Sequence, residues 1–179
     1  MRAIMKATSL LAALWLPLSA CSAALDIGAK APSFDTRASL AGKDFDFSLA
    51  QALRKGPVVL YFFPAAFTSG CTVEAHEFAE ATDDFAKMGA TVIGMAADPI
   101  DKLNKFSVQE CRNKFAVGVA TPAMIKGYDV ALSMMPGRTN RTSYVIAPDG
   151  KVIFVHSAMA VGGHVSGAMT AVKAWKAAH

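Results

Sequence analysis

The run Pro64-Ala65-Ala66-Phe67-Thr68-Ser69-Gly70-Cys71 follows the apolar stretch Val58-Val59-Leu60-Tyr61-Phe62-Phe63 and opens into a helical pattern, so it delivers a cysteine to the first turn of a helix. Backbone N–H groups in a first turn lack helical partners, and the helix dipole favours negative charge there; such a position promotes thiolate over thiol. A thiolate is a nucleophile. On its helix position alone, Cys71 reads first as a small buried core residue, as most free cysteines are. Its companions tip the balance: Pro64 and Thr68 stand before it at fixed spacing, and Arg141 lies seventy residues downstream.

The pattern Pro-x-x-x-Thr-x-x-Cys resembles the active-site loop of the peroxiredoxins, thiol enzymes of thioredoxin-like fold that reduce hydroperoxides. The likeness continues through Gly70-Cys71-Thr72-x-Glu74-Ala75 and Phe78, which is similar to the Q-type branch, also called bacterioferritin comigratory proteins. Further on, Arg141-Thr142-Ser143-Tyr144-Val145-Ile146 and Pro148-Asp149-Gly150-Lys151 resemble the family's arginine strand and hairpin. The resemblance implies that Cys71 attacks the peroxide and that Thr68 hydrogen-bonds to peroxide and thiolate. It further implies that Arg141 supplies a fixed positive charge and that Pro64 shields and shapes the loop. Attack on an O–O bond builds negative charge on the leaving oxygen, which is why a fixed cation and aligned donors are required. Plainer roles stand beside these. Thr68 also suits the N-cap of the helix, Arg138 competes with Arg141 for the cationic role, and Glu74 suits either the loop's hydrogen bonding or a favourable first-turn charge.

The first oxidation product on such a cysteine is a sulfenic acid, which condenses with a second thiol. Many Q-type relatives carry that thiol five residues after the first cysteine, but here the position is His76. Cys111 is then the resolving candidate that the resemblance implies, giving an intramolecular disulfide reduced by a thioredoxin-like donor. In the sequence Cys111 falls within about 20° of Ile100 around its helix, on the edge of the apolar face, so a structural thiol is the alternative. A one-cysteine enzyme regenerated by an external thiol keeps the class without the resolver. A disulfide-exchange or metal-carrying protein generally needs two close cysteines, and Thr68 occupies the first position of a Cys-x-x-Cys. A non-enzymatic binding protein would not need Pro64, Thr68, Cys71 and Arg141 together. No cofactor is expected, and no spacing of His, Cys or acidic residues suggests a metal site.

The N-terminus reads as an export signal. Arg2 and Lys6 precede the apolar run Leu10 to Leu18, and small residues follow up to Ala24. Cleavage after Ala24 leaves residues 25–179 as one thioredoxin-fold domain and places the enzyme in a periplasm-like compartment. Leu18-Ser19-Ala20-Cys21 also resembles a lipobox, in which Cys21 would be lipidated; that is the one route to a membrane. Removing Arg2 and Lys6 from 18 basic residues leaves 16 against 14 acidic, a net charge near +2 that gives no argument for nucleic acid. The expected partners are a hydroperoxide and a thiol reductant, with the chain acting as a monomer or homodimer.

The elements that must position these residues alternate between strand and helix. Strands are expected at Pro57 to Phe63, Thr91 to Ala97, Arg141 to Ala147 and Lys151 to Val155, the last two forming a hairpin. Helices are expected at Leu49 to Leu53, Gly70 to Met88, Pro99 to Lys114, a short piece ending near Tyr128, and Val165 to Ala177, with a break from Gly118 to Pro122. This order predicts an α/β fold with a central mixed sheet flanked by helices. Cys71, Ala75, Phe78, Ala81, Phe85 and Met88 recur at helical spacing and should face that sheet. Met134, Met135 and Pro136 form an apolar loop suited to a substrate entrance, an association face or ordinary packing. His76 should be exposed, and His156 and His164 lie near the hairpin and the start of the last helix.

Overall fold

The structure is a computed structural model and describes residues 24–179, so the export segment and Cys21 lie outside the described residues. Inside its sheet runs β3 (Val58–Phe62), whose residues are all buried. Val59 and Tyr61 pack on one face of the sheet, while Val58, Leu60 and Phe62 pack on the other. A strand buried on both faces reads as a continuous apolar run, which is how the sequence presents it. Parallel to β3 lies β4 (Thr91–Ala96), and antiparallel to it lies β6 (Thr142–Ile146), which continues into β7 (Val152–Ser157) across the Pro148-Asp149-Gly150 turn. The expected mixed sheet with flanking helices is the observed architecture.

Three further strands complete the sheet. β1 (Asp35–Leu40) and β2 (Lys43–Ser48) form a hairpin, and β5 (Ala116–Val119) links it to β4. The order among the described residues is β2-β1-β5-β4-β3-β6-β7. None of the three was among the strands expected from the sequence. The hairpin turns through Ala41 and Gly42, both at positive φ (52° and 76°), where Asn-Gly would have been the recognisable signal. Its strands are also edge-like and charged, with Arg37 bonded to Asp44 and Asp46 across the pair. In β5, Gly118 reads as a break, yet it fits the strand because the Met95 thioether fills its space: a Cβ there would sit 3.0 Å from that sulfur.

α2 (Ser69–Lys87), α3 (Ile100–Gln109) and α5 (His164–Ala178) cover one face of the sheet, and α1 (Leu49–Leu53) and α4 (Pro122–Gly127) the other. The expected stripe on α2 does face the sheet: Cys71, Ala75, Phe78 and Phe85 are buried, and Ala81 and Met88 pack against the same core. The helix expected to run from Pro99 to Lys114 ends at Gln109. Arg112 and Asn113 take left-handed backbone (φ 51° and 59°), which α-helix does not permit, so Cys111 lies in a turn beyond the helix.

Candidate active site

The loop between β3 and α2 is held from three sides. Thr139 donates its hydroxyl to the Phe63 carbonyl at 2.6 Å, and the Phe63 N–H donates to Met95 at 3.0 Å. Asp98, just beyond β4, accepts from the Ala66 N–H at 2.8 Å while also pairing with Lys102 and Arg138. Burial pushes the Asp98 carboxyl up, but that N–H and the two cations more than offset it and leave Asp98 below the ordinary carboxylate range. Sequence reading did not single out Asp98. No local pattern marks it, because its role comes from a loop 32 residues away. Arg138, the arginine that competes with Arg141 in the sequence, is thus paired with Asp98.

Phe67 sits at φ 68°, a conformation uncommon for a bulky residue, and its ring meets Phe106 edge-on at 5.3 Å. Thr68 is the N-cap residue, but its hydroxyl donates to the Ala65 carbonyl at 3.0 Å rather than to a helix N–H. The first intrahelical bond runs from the Thr72 N–H to the Thr68 carbonyl, which leaves the N–H groups of Ser69, Gly70 and Cys71 ahead of the ladder. Pro64 is half-buried at the start of this loop. Cys71 is the third residue of α2 and 1% exposed.

The Arg141 guanidinium makes three contacts. Nη2 donates to Cys71 Sγ at 3.6 Å, Nε donates to the Met159 carbonyl at 3.0 Å, and Nη1 donates to the Glu74 carboxylate. Gly70 lies close beside it: a Cβ there would approach Nη2 to 3.1 Å, so a side chain at this position would press on the guanidinium. Glu74 is the sixth residue of α2 and fully buried, so it is not the first-turn charge that the sequence allowed. Behind Glu74 lies His164, also fully buried, with Nδ1 3.7 Å from Glu74 Oε1. The His164 Nε2–H donates to the Ala158 carbonyl at 3.0 Å, so Nδ1 accepts from the Ser143 hydroxyl at 2.9 Å. His76 is half-exposed and bonded to Glu110. Met134, Met135 and Pro136 are exposed, which removes ordinary packing as their role.

Burial raises Glu74 from the ordinary 4.5 to about 7 against the opposing pull of Arg141, and burial lowers His164 from 6.5 to about 4. The two act on stability in opposite senses. A carboxyl raised on folding contributes stability that is present below about 4.5 and lost as the pH climbs to about 7. A histidine lowered on folding contributes stability that is present above 6.5 and lost as the pH falls to about 4. Between these values the parent profile is therefore flattened. Glu74→Gln removes the first contribution, so the urea midpoint of that variant rises more steeply than the parent's from pH 4 to 6.5. Parallel profiles would show that Glu74 does not titrate in this window.

The second cysteine belongs to the same core. Cys111 is fully buried, and both thiols are free. Burial holds the Tyr61 phenol well above its ordinary range, and its buried hydroxyl has no hydrogen-bond partner among the described residues.

Residues 27–155 match the AhpC/TSA family. The chain is 32% identical over 131 residues to a Mycobacterium tuberculosis protein named a putative peroxiredoxin, covering 70% of this chain and 84% of that one. It is 27% identical over 155 residues to the peroxiredoxin Bcp of Bacillus subtilis, covering 83% and 96%. The crystal structure of peroxidoxin BcpB from M. tuberculosis superposes with a TM-score of 0.74 at 28% identity, covering 83% of this chain and 96% of that one.

Proposed function

The chain belongs to the AhpC/TSA family and to its Q-type, bacterioferritin comigratory branch of thiol-dependent peroxidases, and from that premise we propose that Cys71 is the peroxidatic cysteine of an exported enzyme. The observation that carries the assignment is the Arg141 guanidinium against the Cys71 sulfur at the head of α2. The Cys71 thiolate attacks one oxygen of hydrogen peroxide or a small organic hydroperoxide, and the O–O bond breaks. The electron pair leaves with the second oxygen, which takes up a proton, and the sulfur is oxidised by two electrons to a sulfenic acid. Arg141 offsets charge on sulfur and on the leaving oxygen. Thr68, one turn ahead, can turn its hydroxyl from Ala65 toward the bound peroxide.

Cys111 then resolves the sulfenic acid. Its sulfur bonds to the Cys71 sulfur, the S–O bond breaks and water leaves; a dithiol donor of thioredoxin type returns both cysteines to thiols. One measurement tests the disulfide and the export together. The intact mass of the purified mature protein should fit a chain starting at Leu25 without lipid, and one equivalent of peroxide should lower it by two hydrogens without forming a covalent dimer. Cys111→Ser should stop at a sulfenic or sulfinic acid when the dithiol is the only reductant. Equal turnover of Cys111→Ser and parent with that donor would make this a one-cysteine enzyme, and a start at diacylated Cys21 would place it on a membrane.

A further inference from the structure

The turn that carries the buried Cys111 is tied to α2 by a row of charged contacts. His76, Glu80 and Asp83 occupy successive turns on one face of that helix. Each meets one of three alternate residues around Cys111. The His76 Nε2–H donates to Glu110 at 2.8 Å, Arg112 donates to Glu80 at 3.3 Å, and Lys114 donates to Asp83 at 2.8 Å. The contacts at 110 and 112 thus set Cys111 beside the stretch of α2 between His76 and Glu80, whose Phe78 belongs to the same core cluster. Seven residues separate that level from Cys71, or about 10 Å of helix at 1.5 Å per residue. A disulfide needs Cα atoms within about 7 Å. Cys111 cannot reach Cys71 while these contacts hold and α2 remains helical.

The turn is also held by its own backbone bonds, Cys111 N–H to the Phe106 carbonyl, Asn113 N–H to that of Ser107 and Lys114 N–H to that of Cys111, and two further features bear on how readily it opens. Arg112 and Asn113 are both left-handed without being glycine, which disfavours the turn's own backbone. Burial also pushes the Cys111 thiol well above its ordinary range, so in place it is a protonated, weak nucleophile, and leaving the core for water would activate it.

We propose that His76, Glu80 and Asp83 are positioning residues for the resolving step, forming a rail that retains Cys111 until the 110–114 turn lifts from α2. The rail sets how long the Cys71 sulfenic acid waits for capture, and hence how readily excess peroxide oxidises it further. The histidine standing where many relatives carry a resolving cysteine thus serves the resolving step by another route. The inference rests on the Cys71 to Cys111 disulfide proposed above. In that step the Cys111 sulfur supplies the electron pair of the new S–S bond, the S–O bond of the sulfenic acid breaks, and the departing hydroxide leaves as water with the thiol proton.

The test compares the parent with the triple variant His76→Gln, Glu80→Gln, Asp83→Asn by acid-quenched intact mass after peroxide addition. Disulfide formation should be roughly three- to tenfold faster in the variant, the sum of three modest surface contacts. Its sulfinic fraction under excess peroxide should fall, and high salt should accelerate the parent but not the variant. Sulfenic acid formation, followed in a Cys111→Ser background, should be the same with or without the rail. Swapping one pair, Glu80→Arg with Arg112→Glu, should return most of the parent rate when the other two pairs are intact. Unchanged or slower disulfide formation in the triple variant, with the parent forming the bond normally, overturns the rail alone. A parent that never forms the bond overturns both the rail and the resolving role of Cys111.

Discussion

Cys71→Ser should abolish peroxide consumption with any thiol donor while the protein keeps its fold. The reaction needs an anion on the attacking atom, and a serine hydroxyl does not ionise near neutral pH, so the loss is complete rather than graded. Serine is close to cysteine in size, and its oxygen can accept from the Arg141 guanidinium that now donates to sulfur at 3.6 Å. Stability should therefore change by no more than about 1 kcal/mol, the scale of one exchanged hydrogen bond. Peroxide disappearance and thermal melting on the same sample read both halves. More than trace activity in this variant would remove Cys71 from the chemistry.

Arg141→Ala carries the second largest effect, and it splits into two parts that a double variant separates. The rate constant for peroxide should fall by about a hundredfold or more, as when one preorganised donor is removed from a developing charge. Stability should fall as well, because Glu74 is fully buried and its partner is Arg141. Stripping one partner from a buried pair costs about 3 to 5 kcal/mol when the other stays charged. Burial already raises Glu74 to about 7, so the loss should be smaller in mild acid, where Glu74 takes up a proton. Adding Glu74→Gln to Arg141→Ala should restore the melting temperature without restoring the rate. Recovery of the rate as well would mean that Arg141 serves only to satisfy Glu74. Arg141→Lys should fall between, since a single ammonium cannot span Cys71, Glu74 and the Met159 carbonyl at once.

Much of the frame is written locally. The apolar run of β3, the spacing from Cys71 to Met88 on α2, and the Pro148-Asp149-Gly150 hairpin each lie within about twenty residues, and periodicity or turn chemistry reads them directly. Their observed ends differ from expectation by one or two residues, as element ends do. β1, β2 and β5 escaped because a charged edge hairpin with an Ala-Gly turn, and a four-residue strand containing glycine, carry weak local signals.

By itself the sequence determined that a lone cysteine opens a helix behind a buried strand, and its motifs singled out Pro64, Thr68 and Arg141 as companions. The tertiary structure decided which charges meet. Arg138 and Arg141 are three residues apart, yet one is bound to Asp98 and the other reaches Cys71 and Glu74. His164 and Ser143 stand behind that pair, and the turn carrying Cys111 runs beside α2. These meetings join residues 21 to 90 positions apart through the register and order of the strands. Local periodicity specifies the face on which a side chain lies, whereas only packing of the whole sheet and its helices fixes what that face meets.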